Sequence, residues 1–234
     1  MAGPLGLIGG MTWAASALYY ERLNRLSNAR LGGSHTLRVL IDSLDFGELE
    51  RLGNREGDWV AVEQLLVCSA QRLESAGAVC LLLGAHTAHL MFDAVAATVR
   101  VPVLHVADPL GRAAQAAGVR RLALLGTRHV ANSPLFPTRL ARLGVEIAPP
   151  HIVDAAAIDA LIFGPLAQGR FDPAGRAIAR RVIEGLPAQG FDACGLCCTE
   201  LPVLLRGESF TLPVFDTVEL HAGAALDFLQ GYPA

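Results

Sequence analysis

Two stretches of similar sequence decide the fold of this chain: GAVCLLLGAHT at residues 77–87 and GFDACGLCCT at residues 190–199. Each begins with glycine, continues through a largely apolar run typical of a buried strand, and ends in polar residues. Two shorter pairs repeat as well, namely residues 5–10 with 122–127 and residues 101–104 with 212–215. The three offsets, 113, 117 and 111 residues, are close to half the chain length of 234 residues. An internal duplication of an α/β unit accounts for all three matches.

Strand-like runs alternate with segments of helical periodicity in both halves, and the composition is 52% hydrophobic and 18% charged. Such a composition is typical of an α/β protein whose parallel strands are covered by helices on both faces. We therefore predict two pseudo-symmetric α/β domains, each built on a parallel sheet, with an active-site cleft between them. The first domain is predicted to comprise residues 1–105 and 217–234, and the second residues 106–216.

The charged residues exclude several classes of protein. All nineteen basic residues are arginine, and both pyridoxal-phosphate enzymes and P-loop NTPases need a lysine, so neither class fits. A net charge of −3 offers no basic surface to nucleic acid or to an anionic membrane. No apolar run approaches the roughly 20 residues that cross a bilayer. We expect no nucleic-acid or membrane partner.

The cysteines indicate a reducing environment. Their number is odd, and they show neither the spacing of a disulfide framework nor the paired ligands of a zinc site: Cys68, Cys80, Cys194, Cys197 and Cys198. The amino terminus enters an apolar strand directly, without the basic segment of a signal peptide. We therefore expect free thiols, no bound metal and a cytoplasmic location.

The second long stretch ends in a cysteine that is well placed for chemistry. Cys198 follows the strand predicted over residues 191–196, and Thr199 and Glu200 open a helix. Ligands bind at the carboxyl ends of parallel strands. Unpaired N–H groups and the helix dipole would stabilise a thiolate there. The alternative is that Cys198 is a small buried apolar residue.

Glycine turns follow the first strand of each half. The segment GGMTW at residues 9–13 leads into a helix for which Thr12 is the predicted N-cap, and Thr127 occupies the equivalent turn of the second half. Such a turn at a helix amino terminus forms a pocket for a small anion such as a carboxylate. We expect the loops at 84–87 and 197–200 to line opposite walls of the cleft, with a small carboxylic acid between them.

The chain resembles the aspartate/glutamate racemase superfamily, in particular its aspartate racemase branch, over nearly its whole length. The motifs that carry the resemblance are GGMTW (9–13), YY (19–20), LGGSH (31–35), SLDF (43–46), GDW (57–59), LHVAD (104–108), LGTR (125–128), CTELP (198–202) and FDTVELHA (215–222). The resemblance implies a cofactor-independent racemase and a homodimer. In this superfamily two facing residues, typically cysteines, exchange the α-proton of the substrate from opposite sides.

The sequence departs from the family pattern at the first catalytic cysteine. The family motif is Cys-Asn-Thr, whereas this chain has Ala85, His86 and Thr87, and Cys198 corresponds to the other catalytic cysteine. We expect His86 or Thr87 to replace the missing acid/base, since an imidazole pKa near 6.5 suits proton transfer at neutral pH. Alternatively, His86 takes over the binding role of the family's asparagine.

The resemblance and the predicted turns together imply a set of substrate-binding residues. Relatives bind a side-chain carboxylate with a lysine where this chain has Gln168, and Arg55 or Arg170 could supply the cation instead. The full set is Gly10, Met11, Thr12, Ser43, Ala85, Thr127, Thr199, Glu200, Arg55, Gln168 and His221. His89 and His105 are expected to be structural.

Two other functions remain open at this stage. A single-cysteine decarboxylase, similar to arylmalonate decarboxylase, would use Cys198 to protonate a carbanion after loss of carbon dioxide. A catalytically inert carboxylate-binding protein on a racemase scaffold is the other alternative. Incorporation of solvent deuterium separates the three, because a racemase labels its substrate, a decarboxylase labels only its product, and a binding protein labels neither.

Overall fold

The computed structural model describes residues 3–231, so the first two and last three residues of the predicted domains lie outside it. The chain divides into two units. The first runs to Val106 and resumes at His221, and the second spans Ala107–Leu220. The boundaries predicted from the sequence, after residues 105 and 216, lie one and four residues from these.

A four-stranded parallel sheet with the order β2-β1-β3-β4 forms the first unit. Its strands are β1 (Leu5–Gly9), β2 (Val39–Ser43), β3 (Cys80–Leu83) and β4 (Val103–Leu104). Its helices are α1 (Trp13–Leu31), α2 (Phe46–Glu50), a π-helical segment (Arg51–Glu56), α3 (Trp59–Ser75), a 3-10 helix (Thr87–Met91) and α4 (Phe92–Ala97).

The second unit repeats this plan, with a parallel sheet in the order β6-β5-β7-β8. Its strands are β5 (Arg121–Gly126), β6 (Glu146–Ala148), β7 (Ala193–Cys197) and β8 (Val214–Asp216). Its helices are α5 (Ala107–Ala116), α6 (Arg128–Ala131), α7 (Leu135–Ala141), α8 (Ile152–Phe163), α9 (Pro173–Gly185) and α10 (Glu200–Leu204), with 3-10 turns at Leu166–Gln168 and Pro187–Gln189. The final helix, α11 (Thr217–Leu229), belongs to the first unit from His221 onward.

The identical strand orders explain the repeats in the sequence. Residues 5–10 and 122–127 overlap β1 and β5, and the two long stretches contain β3 and β7. The third pair of matching segments, residues 101–104 and 212–215, overlaps β4 and β8. The predicted fold class, an α/β protein with two parallel sheets, is therefore confirmed. The sequence did not predict β6, which is short and lies outside the repeated segments.

Local sequence signals set the helix that follows β1. Thr12 caps α1, since its Oγ1 accepts a hydrogen bond from the amide of Ala15 at 3.2 Å, as predicted. Gly32 ends the helix at φ 72°, which glycine adopts without a steric penalty. The strand β1 is buried at every residue, as expected for a central parallel strand.

Each sheet packs its own hydrophobic core. In the first unit, Leu66 and Leu73 of α3 pack in one cluster with Ile8 and Leu83 of the sheet. In the second unit, the corresponding cluster joins α8 and α9 to β5 and β7, and it includes Cys198. Among the helices of residues 3–231, none has the length and hydropathy that a membrane span requires.

Candidate active site

The carboxyl ends of three strands bring several predicted site residues to one edge of the first sheet. β1 and β2 are paired up to Gly9 and Ser43, and β1 and β3 are paired up to Ile8 and Leu83. The residues that follow therefore leave the sheet together. We call this group the first-unit edge, and it comprises Gly10, Met11, Thr12, Ser43, Ala85, His86 and Thr87.

In the glycine turn after β1, several polar groups already form hydrogen bonds to one another. Gly10 has φ +84°, and a side chain there would collide with the backbone of Leu44. The Gly10 amide donates to Ser16 Oγ at 2.8 Å, and the Ser16 hydroxyl donates to the Thr12 carbonyl at 3.3 Å. The peptide between Met11 and Thr12 is cis. Sequence reasoning missed Ser16, although it lies four residues after the predicted N-cap.

In the segment after β3, the His86 imidazole has a lower pKa than the sequence analysis assumed. Ala85 and His86 are buried, and Thr87 is half-buried. Burial, followed by the neighbouring His221, lowers the pKa of His86 to about 3. The expectation of a pKa near 6.5 was therefore wrong, because it assumed a solvated imidazole. His86 is neutral at physiological pH.

His221, predicted to bind substrate, lies in the interior of the first unit. It is fully buried in the first unit, where Nδ1 lies 2.9 Å from the Tyr19 hydroxyl and Nε2 lies 3.0 Å from the Leu104 carbonyl. Burial lowers its pKa to about 4. Both ring nitrogens bond to protein groups, so His221 ties α1 and α11 to β4, and its role in binding substrate stays a prediction.

The second sheet has an equivalent edge. Gly126 of β5 is paired with Cys197 of β7, so that Thr127 and Cys198 leave the sheet side by side. We call Thr127, Cys198, Thr199 and Glu200 the second-unit edge. Within residues 3–231, the buried Oγ1 of Thr127 has no hydrogen-bond partner. It therefore has the capacity to bind a ligand oxygen.

Cys198 lies beside a carboxylate. Its Sγ is 3.0 Å from Glu200 Oε2, and the Thr199 hydroxyl donates to the same oxygen at 2.7 Å. Cys198 is 7% exposed and Thr199 6% exposed, so this contact is largely shielded from water. Thr199 thus orients Glu200 and leaves the thiol hydrogen directed at the carboxylate.

This environment raises the pKa of the Cys198 thiol well above its usual value. Burial is the largest cause, followed by the negative charge of Glu200 and the hydrogen bond to it. The backbone amides of Glu200 and Leu201 act in the opposite direction but are outweighed. We expected the helix amino terminus to dominate and to stabilise the thiolate, but α10 is only five residues long and burial prevails.

A thiol with a raised pKa is protonated in the resting protein and becomes a strong base once it loses its proton. Glu200 is placed to accept that proton. The remaining cysteines are free as well, with Cys68 exposed and the others buried. No group of three or more His, Cys, Asp or Glu side chains in residues 3–231 is arranged to hold a metal ion.

The predicted cation sites lie in peripheral segments. Arg55 belongs to the π-helical segment and pairs with Glu50 at 3.3 Å, with a side chain that is 70% exposed. Gln168 ends a 3-10 helix in the second unit and is exposed, as is Arg170. Their roles in binding a side-chain carboxylate stay predictions from the resemblance.

Residues 8–225 match the profile of a family described as Asp/Glu/Hydantoin racemase. The chain belongs to this family. A candidate Asp/Glu racemase from Yersinia pestis superposes with a TM-score of 0.87 and 36% identity, over 97% of this chain and 98% of the other. An aspartate racemase homologue from Pyrococcus horikoshii superposes with a TM-score of 0.84 and 26% identity, over 98% and 100% of the two chains.

One curated relative is named for a specific activity, but it matches a shorter part of the chain. The glutamate racemase of Koribacter versatilis is 34% identical over 125 residues, which cover 49% of this chain and 42% of that relative. The match thus spans less than half the length of the relative. Its substrate bears on this chain only as a proposal.

Proposed function

We propose that this protein is a cofactor-independent racemase or epimerase that exchanges the α-proton of a small amino acid or a related carboxylic acid. The observation that carries the proposal is the Cys198 thiol at the carboxyl end of β7, 3.0 Å from the Glu200 carboxylate. Membership of the Asp/Glu/Hydantoin racemase family supports the type of reaction. Aspartate and glutamate are the first substrates to test, given the descriptions of the relatives.

The first step proposed is proton transfer at the second-unit edge. The Cys198 thiol gives its proton to Glu200 Oε2, and the resulting thiolate takes the α-proton of the substrate. The electron pair of the C–H bond moves into the substrate carboxylate, which becomes an enediolate. Burial of Cys198 makes the thiolate costly to form, and the thiolate is therefore a strong base towards the α-proton once it has formed.

The opposite face of the substrate requires a second acid/base, and Ala85 cannot transfer a proton. We propose that His86 or Thr87 serves this face. Since the pKa of His86 is about 3, the neutral imidazole is a weak base. Exchange on the Cys198 face should therefore be faster than inversion, and this asymmetry distinguishes the protein from a symmetric two-cysteine racemase.

For substrate binding, we propose that the Thr127 hydroxyl donates to the substrate carboxylate. Its buried Oγ1 has no hydrogen-bond partner within residues 3–231. Leaving a buried hydroxyl without a partner costs free energy, so a hydrogen bond to the substrate would be stabilising. Thr12 and Ser43 at the first-unit edge, and Thr199 at the second-unit edge, are further polar residues near the ends of strands. Thr199 and Glu200 already bond to one another, so we propose that they act mainly through Cys198.

The test follows the α-hydrogen by proton NMR in D₂O, with each enantiomer of aspartate, glutamate and a panel of other amino and hydroxy acids. We expect solvent deuterium to replace the α-proton of one enantiomer, with retention faster than inversion. Cys198→Ala should lower the exchange rate by about 1,000-fold or more, since it removes the base. Cys197→Ala is the matched control and should stay within about threefold, because that thiol lies in the strand.

Two results would overturn the proposal. Full exchange activity in Cys198→Ala would show that another group is the base. An absence of exchange with every acid, combined with thermal stabilisation by one of them, would indicate a binding protein instead.

A decarboxylase is the second candidate, favoured by one observation: Ala85 leaves the segment after β3 without a thiol, and the adjacent His86 is neutral. Cys198 alone suffices to protonate a carbanion left by loss of carbon dioxide. The test uses disubstituted malonates in D₂O. Release of carbon dioxide with one deuterium in the product, and no exchange into amino acids, would favour this candidate over the racemase.

We further propose that the protein acts as a homodimer in the cytoplasm, as the resemblance and the free thiols suggest. Sedimentation equilibrium of the purified chain tests the first part. A single species near 24.7 kDa across the micromolar range would contradict the dimer. Secretion-dependent cleavage or disulfide formation in the producing cell would contradict the location.

A further inference from the structure

A second histidine supports the segment that carries His86 and Thr87. His89 is fully buried in the 3-10 helix Thr87–Met91. Its Nδ1 lies 3.0 Å from the carbonyl oxygen of Ala85, and its Nε2 lies 3.2 Å from the amide nitrogen of Val106. The ring therefore joins the exit of β3 to the chain that leaves β4.

These two partners allow only one form of the ring. A carbonyl oxygen only accepts, so Nδ1 must carry the hydrogen, and a backbone amide only donates, so Nε2 must be bare. His89 is thus neutral. The surroundings favour that state, because burial, and then the nearby His105, His221 and His86, hold the pKa of His89 well below its usual value. The rings of His105 and His221 lie at centroid distances of 4.7 and 5.6 Å from the ring of His89.

The bond to Ala85 has a geometric consequence. The carbonyl of Ala85 and the amide N–H of His86 lie on opposite edges of one planar trans peptide. A ring that fixes the carbonyl direction therefore also fixes the direction of the His86 N–H. It sets the start of the 3-10 helix, and hence where His86 and Thr87 stand.

We propose that His89 is a positioning residue for the reaction proposed above, holding the Ala85–His86 peptide plane through its Nδ1–H. The inference rests on the proposed function, because it assigns His89 a part in the same reaction. His89 does not touch the substrate; it acts through the main chain of residues 85–87. A purely structural histidine would affect only the folded fraction, whereas a positioning residue affects turnover in the folded protein.

The test separates the two hydrogen bonds of the ring. His89→Asn keeps a donor near Nδ1 for the Ala85 carbonyl, and His89→Gln keeps a polar group near Nε2 for the Val106 amide. His35→Asn is the control, because His35 is exposed and outside the buried cluster. For each variant, kcat and KM of α-proton exchange are measured together with the folded fraction from thermal melting.

We expect His89→Gln to lose about tenfold or more in kcat at equal folded fraction with KM little changed, because small misplacements of reacting groups are costly. His89→Asn should recover most of that loss, and His35→Asn should match the unaltered protein. Equal kcat in both His89 variants and the unaltered protein would overturn the proposal. So would losses that follow the folded fraction alone.

Two further measurements keep this inference separate from the proposed function. Nitrogen-15 NMR of the unaltered protein should show the Nδ1–H tautomer of His89, and the Nε2–H tautomer would overturn the proposal without any variant. Amide exchange at residues 85–87 should accelerate in His89→Gln but not in His89→Asn. If no acid exchanges its α-proton, the proposed function fails, and these two measurements still decide whether His89 holds the peptide plane.

Discussion

The segments that follow β3 and β7 occupy the same position in the two repeats but differ in chemistry. After β3 the chain continues with Ala85, a neutral buried His86 and Thr87. After β7 it continues with Cys198, Thr199 and Glu200, which bond to one another through one carboxylate oxygen. The duplication has kept the backbone plan and changed the side chains that can move a proton.

One physical cause acts on both segments with opposite results. Burial disfavours the charged form of any group, so it lowers the pKa of His86, His89 and His221 and raises the pKa of Cys198. The histidines become neutral and weakly basic, whereas the thiol becomes a strong base whenever Glu200 takes its proton. The second repeat therefore supplies the proposed strong base, whereas the first offers only neutral, weakly basic groups.

Restoring a thiol to the first repeat should give the largest effect. Ala85→Cys places the family's second acid/base after β3, and the ratio of inversion to exchange should rise about 100-fold, within the range of general acid/base catalysis. The measurement is polarimetry alongside proton NMR in D₂O. Ala85→Ser is the size-matched control and should leave the ratio near that of the unaltered protein.

An unchanged ratio of inversion to exchange in a folded Ala85→Cys variant would contradict the proposed difference between the two repeats. It would mean that the position after β3 does not take part in proton transfer, and the decarboxylase would become the better proposal.

Removing the carboxylate from the second repeat should have the next largest effect. Glu200→Gln keeps an acceptor for the Thr199 hydroxyl but loses the proton acceptor for Cys198, so kcat should fall about 10- to 100-fold. The same change removes a charge that raises the Cys198 pKa, so alkylation of this thiol should begin at lower pH. Alkylation is followed by mass spectrometry in a Cys68→Ala background, because Cys68 is exposed.

Glu184→Gln is the control for this experiment, since Glu184 forms only an exposed ion pair with Arg180. It should change neither rate. An alkylation profile that moves to higher pH in Glu200→Gln would contradict the assignment of Glu200 as a group that raises the thiol pKa.

Acid should destabilise the protein through its buried histidines. The folded pKa of His86 is about 3 and that of His221 about 4, against 6.5 unfolded. Between those values the unfolded chain binds more protons, so stability falls as the pH drops below 6.5. Each histidine should lower the free energy of unfolding by up to about 1.4 kcal/mol per pH unit. Urea unfolding at pH 7, 6 and 5 measures this slope.

Two variants test whether the buried histidines cause this pH dependence. His221→Gln should reduce the dependence of the unfolding free energy on pH, whereas Thr138→Val, at an exposed helical position, should not change it because it removes no titratable group. A flat profile between pH 7 and 5 would contradict the buried neutral histidines.

The smallest effect is expected at Thr127. Thr127→Val removes the buried hydroxyl but keeps the shape, and KM should rise about five- to tenfold, equivalent to roughly one hydrogen bond. Turnover at saturating substrate should change little. Thr138→Val, at an exposed helical position, is the control. A lower KM in Thr127→Val would remove Thr127 from the binding residues.

Much of the fold could be predicted because its signals are local. Thr12 caps α1 as its position before a helical pattern indicates, and the strands around Leu7, Leu82 and Leu124 are apolar runs bounded by glycine. The positions of Thr127 and Cys198, each directly after a strand, could be predicted from the same signals. The pKa values did not, because burial depends on elements distant in sequence.

By itself, the sequence determined the duplication, the parallel sheets, the family resemblance and the place of Cys198 after its strand, because all of these are written in periodicity and short motifs. Only the tertiary structure decided which polar groups distant in sequence meet, such as Tyr19 with His221 and His89 with Val106. The physical reason is that protonation and hydrogen bonding depend on what surrounds a group in space, and folding brings that surrounding from several strands and helices at once.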